Sequence, residues 1–292
     1  MVVSTLYHGF MNYRHAYHAG NHADVLKHTV LARVLAHLKK KQKPFRVIDA
    51  HAGIGVYDLQ GVEAGKTGEW RTGIGKMAPS FAAEVEVLLK PYREIIAALN
   101  PAGEFKCYPG SPWIAARMLR QTDRMIANEL HPEDRIFLKR RFRGERRVKV
   151  TGVDAETCIK ANLPPPERRG LVLIDPSYEH ADEADRAVRM LGQGLQRFAT
   201  GCFMLWYPLK ADGLAEKLCD AVLSLAVPGT LKCELRVRES FREGGLAGSG
   251  LVIVNPPWSL DSELGLLLPS LGQRLGLGNW GQGNVSWLLP PD

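Results

Sequence analysis

Residues 46–55, Arg46-Val47-Ile48-Asp49-Ala50-His51-Ala52-Gly53-Ile54-Gly55, decide how the rest of the chain is read. A short apolar run ends in an acid and passes into a turn with two glycines. Such a run is a buried strand, and glycines at its carboxyl end let the backbone approach a ligand. A dinucleotide fingerprint needs a third glycine three residues beyond the second, and Asp58 stands there. The turn by itself serves equally well as a plain connection from strand to helix.

The sequence on either side supplies the frame. Asn21 caps a helix that runs to about Leu38, with apolar residues Leu26, Val30, Val34 and Leu38 along one face. Lys39, Lys40, Lys41 and Lys43 close it, and Pro44 stops it. Downstream, strand-like runs at 123–128, 147–153, 170–175 and 201–206 alternate with helical stretches at 132–142, 182–198 and 213–226. That alternation predicts an α/β protein with a parallel sheet and crossover helices. The segments 232–240 and 249–255 read as an antiparallel pair joined by a glycine-rich turn. A helix over Phe81–Leu99 is expected to break at Pro91.

Composition sets outer limits. The 292 residues are 45% hydrophobic and 24% charged, which excludes a disordered chain, a collagen or a disulfide scaffold. No apolar run reaches the ~18 residues that span a bilayer, and the first residues lack a signal-peptide pattern. The cysteines (107, 158, 202, 219 and 233) are odd in number and none is spaced CxxC, so neither zinc nor disulfides are read and a reducing cytoplasm is expected. His15, His18, His22 and His28 lack the Cys or carboxylate partners that would complete a metal site. Gly65-Lys66-Thr67 lacks the first glycine of a P-loop, because Gln60 occupies its place.

The pattern D-x-H-x-G-x-G is closest to the D-x-G-x-G-x-G turn of S-adenosylmethionine-dependent methyltransferases, with His51 in the first glycine's place and Gly53 next to the ligand. Two tetrapeptides fit methyl transfer to an exocyclic amine. The lone pair of such an amine is delocalised into the base. A carboxylate and a backbone carbonyl that accept both N–H hydrogens localise it, an adjacent aromatic ring holds the base, and a proline fixes the aim of the carbonyl. Asp175-Pro176-Ser177-Tyr178 follows the apolar run LVLI; Asn255-Pro256-Pro257-Trp258 follows LVIV. Order favours the first. The tetrapeptide should end the fourth strand, after acids that end the second and third, and Glu129 and Asp154 precede Asp175 in that order. Glu129 is then expected on the cofactor ribose and Asp154 near its adenine. The alternative for Asp175 is an Asp-Pro cap of a turn. The second tetrapeptide is assigned a strand-ending turn.

In a plain fold the ribose acid lies about 20 residues beyond the glycine turn. Glu129 lies much farther, and the excess matches residues 59–107. Residues 1–58 and 108–292 are therefore read as one catalytic domain, with 59–107 inserted after its first strand.

The run Tyr13-Arg14-His15-Ala16-Tyr17-His18-Ala19-Gly20-Asn21-His22-Ala23-Asp24-Val25-Leu26-Lys27-His28 is too distinctive to be generic. It resembles the RlmJ family, bacterial methyltransferases of adenine N6 in 23S ribosomal RNA. The similarity continues through DAHAGIGVY (49–57), YPGSP (108–112), ELHP (129–132), RRGLVLIDPSYE (168–179), LWYP (205–208) and GSGLVIVNPPW (248–258), and covers residues 11–290. The resemblance implies a Rossmann-like methyltransferase domain with an inserted small helical subdomain. It implies contacts to S-adenosylmethionine from His28, His51, Ser111, Glu129 and Asp154, with Ala155 adjacent. Asp175 takes the role of catalytic carboxylate, also next to the cofactor, and Pro176 and Tyr178 complete the tetrapeptide, with Tyr178 stacked on the base. Tyr13, His15 and Lys27 match an N-terminal motif placed near the target base and the RNA. Without the resemblance, Lys27 would be read as a solvated charge. The expected partner is naked or partly assembled 23S RNA, with no metal and no membrane.

The sequence departs from the family pattern in two places. Ser177 replaces the usual second proline, so a slightly looser loop is expected. The family pattern also begins near Met11, so residues 1–10 are read as an extension or as the result of a start codon placed too early. A DNA adenine methyltransferase and a non-catalytic assembly factor remain as rival readings. Finally, the net charge of +7 is uneven. Residues 139–149 carry seven Lys or Arg against Glu145, the lysines at 39–43 add four more, and the remainder is net negative. At least one of the two stretches is expected to meet RNA.

Overall fold

Five of the strand-like segments read from the sequence fall side by side as parallel strands. The computed structural model describes residues 14–239, 245–278 and 280–291. Residues 1–13, and with them the proposed extension and Tyr13, lie outside the described residues. In chain order the elements are α1 (His22–Lys40), β1 (Arg46–Asp49), β2 (Val56–Asp58), α2 (Val62–Thr67), α3 (Ala83–Leu99), β3 (Cys107–Pro109), α4 (Ser111–Met118), β4 (Arg124–Asn128), α5 (Pro132–Arg141) and β5 (Val148–Thr151). They continue with α6 (Ala155–Asn162), β6 (Gly170–Ile174), α7 (Glu183–Arg197), β7 (Cys202–Leu209), α8 (Leu214–Leu223), β8 (Thr230–Arg236), β9 (Gly248–Val254), α9 (Leu260–Leu275) and β10 (Gln282–Leu289).

The main sheet has the order β10-β8-β9-β7-β6-β1-β4-β5. β5, β4, β1, β6 and β7 are mutually parallel, whereas β9 runs antiparallel to both β7 and β8, and β10 antiparallel to β8. The expected parallel sheet with an antiparallel C-terminal pair is present, and a further antiparallel strand, β10, extends it. All five parallel strands deliver their carboxyl ends to one edge. The chain leaves β1 toward β4 on one side and β6 on the other, so a crevice opens there, where α/β sheets bind ligands.

Alternation along the strands divides the core between two faces. Val47, Leu171 and Leu173 point to a layer built on α1, α3, α4 and α9, while Ile48, Val172 and Ile174 point to α6, α7 and α8. Both faces of the sheet are covered, which is why its central strands read as unbroken apolar runs. α1 is the most enclosed helix of the first layer, with Val25, Leu26, Val30, Val34 and Leu35 at 0% exposure. The Asn21 side chain caps it by accepting from the backbone N–H of Ala23 and Asp24.

β2 and β3 pair antiparallel as a separate two-stranded ribbon, so the stretch between them leaves and returns at one place. Its buried residues Ile74, Met77, Val85, Leu89 and Tyr92 join the same core as α1. The break expected at Pro91 does not occur: α3 is continuous from Ala83 to Leu99. The carbonyl that Pro91 leaves unbonded is that of Val87, whose residue is 68% exposed, so water can satisfy it.

Candidate active site

The carboxyl edge of the sheet, the first turns of α1 and the start of the β2–β3 excursion enclose a cavity of about 1040 Å³. Of the residues singled out from sequence, His15, Lys27, His28, His51, Gly53, Ser111, Glu129, Asp154, Ala155, Asp175 and Pro176 all line it.

Each side of the crevice is built from a strand end. Glu129 follows β4, and its carboxylate accepts from Gly53 N (2.8 Å) and His131 N (2.7 Å). Gly53 has φ 64°, and a Cβ there would lie 2.2 Å from the Tyr57 hydroxyl, so only glycine fits. Burial raises the Glu129 carboxyl above its usual range, against the pull of those two N–H groups. Asp154, beyond β5, caps α6 through Thr157 N (2.9 Å) and places Ala155 in the first turn. Asp49, which ends β1, is buried and accepts from the Ser111 hydroxyl at 2.7 Å; burial pushes it up to about 7. His51 Nδ1 accepts from the Asp175 backbone N–H at 3.1 Å, tying the β1 turn to the β6 turn across the crevice. Burial lowers His51 to about 4, so it is neutral at pH 7 and carries its proton on Nε2.

A buried polar chain runs from α1 to the tetrapeptide. Lys27 is 4% exposed, and its ammonium lies 2.5 Å from Asp175 Oδ2 and 3.1 Å from Asp24 Oδ1. Asp24 also accepts from His15 Nε2 (2.8 Å) and Gly20 N (2.9 Å). Burial works to raise the Asp24 carboxyl, but His15, Lys27 and His28 outweigh it and hold it well below the usual range. His28 pairs its Nδ1 with the Tyr108 hydroxyl at 2.8 Å, and burial lowers it to about 3. Lys27 is therefore not the solvated charge that a helical lysine suggests. It is the counter-ion of Asp175.

Tyr178 corrects an expectation. It does not line the cavity. The residue adopts φ 56° and is 7% exposed, its ring packing in the layer of α7 and α8. Its hydroxyl donates to the Trp206 carbonyl at 2.6 Å, and the two rings lie 5.6 Å apart. Two aromatic side chains on the cavity wall are Tyr57 and Trp206; the indole N–H of Trp206, from β7, is buried with no hydrogen-bond partner. Ser177, in place of proline, lies 3.4 Å from both carboxylate oxygens of Glu183, which also accepts from Glu179 N at 2.8 Å.

The second tetrapeptide lies at the opposite edge of the sheet. β9 is antiparallel to β7, so its last residue, Val254, pairs with Phe203 near the start of β7. Asn255 donates to the carbonyls of Ala199 (2.7 Å) and Gly201 (2.8 Å) and closes a turn. Its role as a strand-ending turn agrees with the order of the acids in sequence.

Sequence reasoning did not select Asp24, Asp49 or Trp206. Asp24 and Lys27 sit three residues apart, with His28 beside them, on a face of α1 that continues with Leu31 and Leu35, which was a signal of a buried polar group. Nothing in sequence distinguishes Trp206 from a core aromatic. Among the described residues no three His, Cys, Asp or Glu are grouped to hold a metal ion, and no helix is long and apolar enough to cross a membrane.

The chain is similar to known proteins over most of its length. The family model for Ribosomal RNA large subunit methyltransferase D, RlmJ, matches residues 42–289. Ribosomal RNA large subunit methyltransferase J of Haemophilus influenzae is 40% identical over 284 residues, covering 96% of this chain and 99% of that protein. The protein of the same name from Escherichia coli K12 is 38% identical over 280 residues, with the same coverage. A crystal structure of a Legionella pneumophila protein superposes with a TM-score of 0.82 at 32% identity, covering 92% of this chain and 98% of that one. With its model matched over most of the chain and relatives aligned nearly end to end, the chain belongs to the RlmJ family of ribosomal RNA large subunit methyltransferases.

Proposed function

We propose that the chain methylates N6 of a single adenosine in 23S ribosomal RNA, with S-adenosylmethionine as donor. The observation that carries this reading is the placement of Asp175 and Pro176 at the end of β6, in one cavity with Gly53, Glu129 and Asp154. The cavity suits that cofactor: a glycine turn where a Cβ would collide, and acids just beyond the second and third parallel strands. When bound, the cofactor supplies an electrophilic methyl group on a sulfonium.

The chain's own residues do the rest. Glu129, held by two backbone N–H groups, is set to accept ribose hydroxyls, and Asp154 and Ala155 flank the adenine end. His28, His51 and Ser111 complete the polar lining. Lys27 occupies Oδ2 of Asp175, which leaves Oδ1 to accept one N–H of the target amine while the Pro176 carbonyl accepts the other. Trp206, propped by Tyr178, offers a face for the base. His15 reaches this wall through Asp24. Preorganisation of this kind is worth ~7–11 kcal/mol in well-aligned reactions. Glu183 stiffens the loop that Ser177 would loosen, which supports turnover rather than an inactive fold. In domain terms, residues 1–58 and 108–292 form the methyltransferase domain and 59–107 an insertion.

The test is a methylation assay with labelled S-adenosylmethionine on unmodified large-subunit RNA, with DNA as competitor and the methylated base identified by mass spectrometry. N6-methyladenosine at one RNA position is expected. Asp175→Ala should abolish it while calorimetry shows cofactor affinity within a few-fold. Labelled DNA, or near-normal turnover of that variant, would overturn the reading.

A further inference from the structure

We infer that α5 and the loop after it form the surface on which RNA flanking the target adenosine lies, its phosphates on the exposed arginines and an unpaired base on Phe137 and Ile136. This rests on the activity proposed above and adds where the rest of the substrate goes.

The cavity itself cannot hold a polyanion. Eight Asp or Glu side chains line it against four Lys or Arg, so a base can enter while its phosphates are kept outside. The surface that receives them must therefore be basic and must begin at the rim. α5 begins there: Leu130, His131 and Asp134 line the cavity. Arg135 fastens the helix to the rim, donating to the carbonyls of Glu129, Leu130 and Gly152 at 3.2–3.3 Å.

Beyond that anchor the helix does not resemble one that packs on a sheet. Only Leu138 is buried; Ile136 is 51% and Phe137 53% exposed. A helix covering a core turns such residues inward. Here Lys139 and Arg140 lie within one turn of Ile136, and Arg140 and Arg141 within one turn of Phe137, so cations flank both apolar side chains. Lys139, Arg140, Arg141, Arg143, Arg146 and Lys149 are all exposed. The one acid in the run, Glu145, is taken by Arg147 at 2.5 and 2.9 Å. Cations that track a backbone with apolar or aromatic side chains between them are the chemistry of single-stranded nucleic acid binding. An acidic protein would match the charge and leave Phe137 unexplained.

The other basic stretch does not meet these conditions. Lys39, Lys40, Lys41 and Lys43 end α1 and precede the start of β1, at the opposite edge of the sheet from the cavity. The carbonyls of Lys41 and Lys43 are occupied by Arg120 and Arg169.

The experiment uses the full chain and fluorescently labelled, unmodified large-subunit RNA. Affinity is measured as a function of salt for the wild type, Arg140→Glu/Arg143→Glu/Arg146→Glu, Phe137→Ala and Lys39→Glu/Lys40→Glu/Lys41→Glu. Three lost phosphate contacts should flatten the log–log salt slope by about 2, at ~0.7 per contact on a single strand. Loss of one stacked base should weaken binding about tenfold with the slope unchanged. The control at the far edge should bind like the wild type, and S-adenosylmethionine affinity should be the same in all four. If the reversal misfolds, the Arg→Gln triple replaces it, with the same expected slope. Wild-type affinity and slope in both α5 variants, or loss confined to the far-edge variant, would overturn the inference. Failure of the wild type to methylate the RNA would instead overturn the proposed activity.

Discussion

Replacing Lys27 by Met tests whether the chain from α1 to Asp175 is an electrostatic unit. The substitution keeps an unbranched apolar stem and removes the ammonium, with its charge and its hydrogen-bond donors. Asp24, 1% exposed, and Asp175 then lose the cation they share. Deleting one partner of a buried pair costs about 3–5 kcal/mol, because the remaining charge stays buried. Unfolding entropy of about 2.1 cal/mol/K per residue amounts to about 0.6 kcal/mol/K for this chain. Differential scanning calorimetry should therefore show a fall in Tm of about 5–8 °C for Lys27→Met. Adding Asp24→Asn removes the stranded charge yet keeps an amide oxygen to accept from Gly20 N, so the double variant should recover more than half of the loss. A single variant within about 2 °C of the wild type would refute the argument. So would a double variant less stable than the single one. Turnover should fall in both, since Lys27 holds one oxygen of Asp175.

Three further outcomes follow from the site. Trp206→Ala should lower kcat/KM for RNA by roughly 5–150-fold, the worth of one stacked base, with cofactor affinity unchanged. Tyr178→Phe should lose about 1 kcal/mol of stability, one hydrogen bond to the Trp206 carbonyl, and change activity only a few-fold; a Tyr178→Phe defect exceeding that of Trp206→Ala would restore Tyr178 to the base. Acid should weaken the fold well above the carboxylate range: burial lowers His22, His28 and His51 to about 4, 3 and 4. Between pH 6.5 and 4 the unfolded chain binds more protons at these histidines than the folded one, so they cost about 2 kcal/mol each at pH 5, and Asp49, raised to about 7, offsets only about one of the three. Urea titrations that give the same stability at pH 7 and pH 5 would contradict this.

The parallel half of the fold was legible because its strands are covered on both faces and so read as apolar runs of four or five residues between glycine and acid punctuation. The site positions were legible because those punctuation marks are the strand ends that line the crevice. Other elements were hidden for identifiable reasons. In α9 the leucines at 260, 264, 267, 268, 271 and 275 keep helical spacing, but Pro269, Gly265 and Gly272 interrupt them with helix-breaking residues, and β10 opens on Gln-Gly-Asn before Val285 and Trp287 alternate with polar neighbours. Pro91 looked like a helix end because sequence does not show that the freed carbonyl faces water. Tyr178 looked like a base-stacking residue because a positive φ, which turns its ring into the core, leaves no mark in the letters. Lys27 looked solvated because Asp175, its partner across the crevice, lies 148 residues away in sequence.

The β2–β3 ribbon has one more effect. It brings Asp58 and Cys107 into register across a pair of strands, so the chain between them starts and finishes at a single point on the sheet's rim. Loop-closure entropy rises only by about 0.6 kcal/mol per doubling, so lengthening a short connection to about 50 residues costs roughly 2 kcal/mol. The ladder bonds and the apolar surface that α3 buries offset a sum of that size. The length of the exposed turn in this stretch is thereby uncoupled from the sheet. Residues added at that turn, 101–104, would leave β1 and β4 delivering Asp49 and Glu129 to the same crevice.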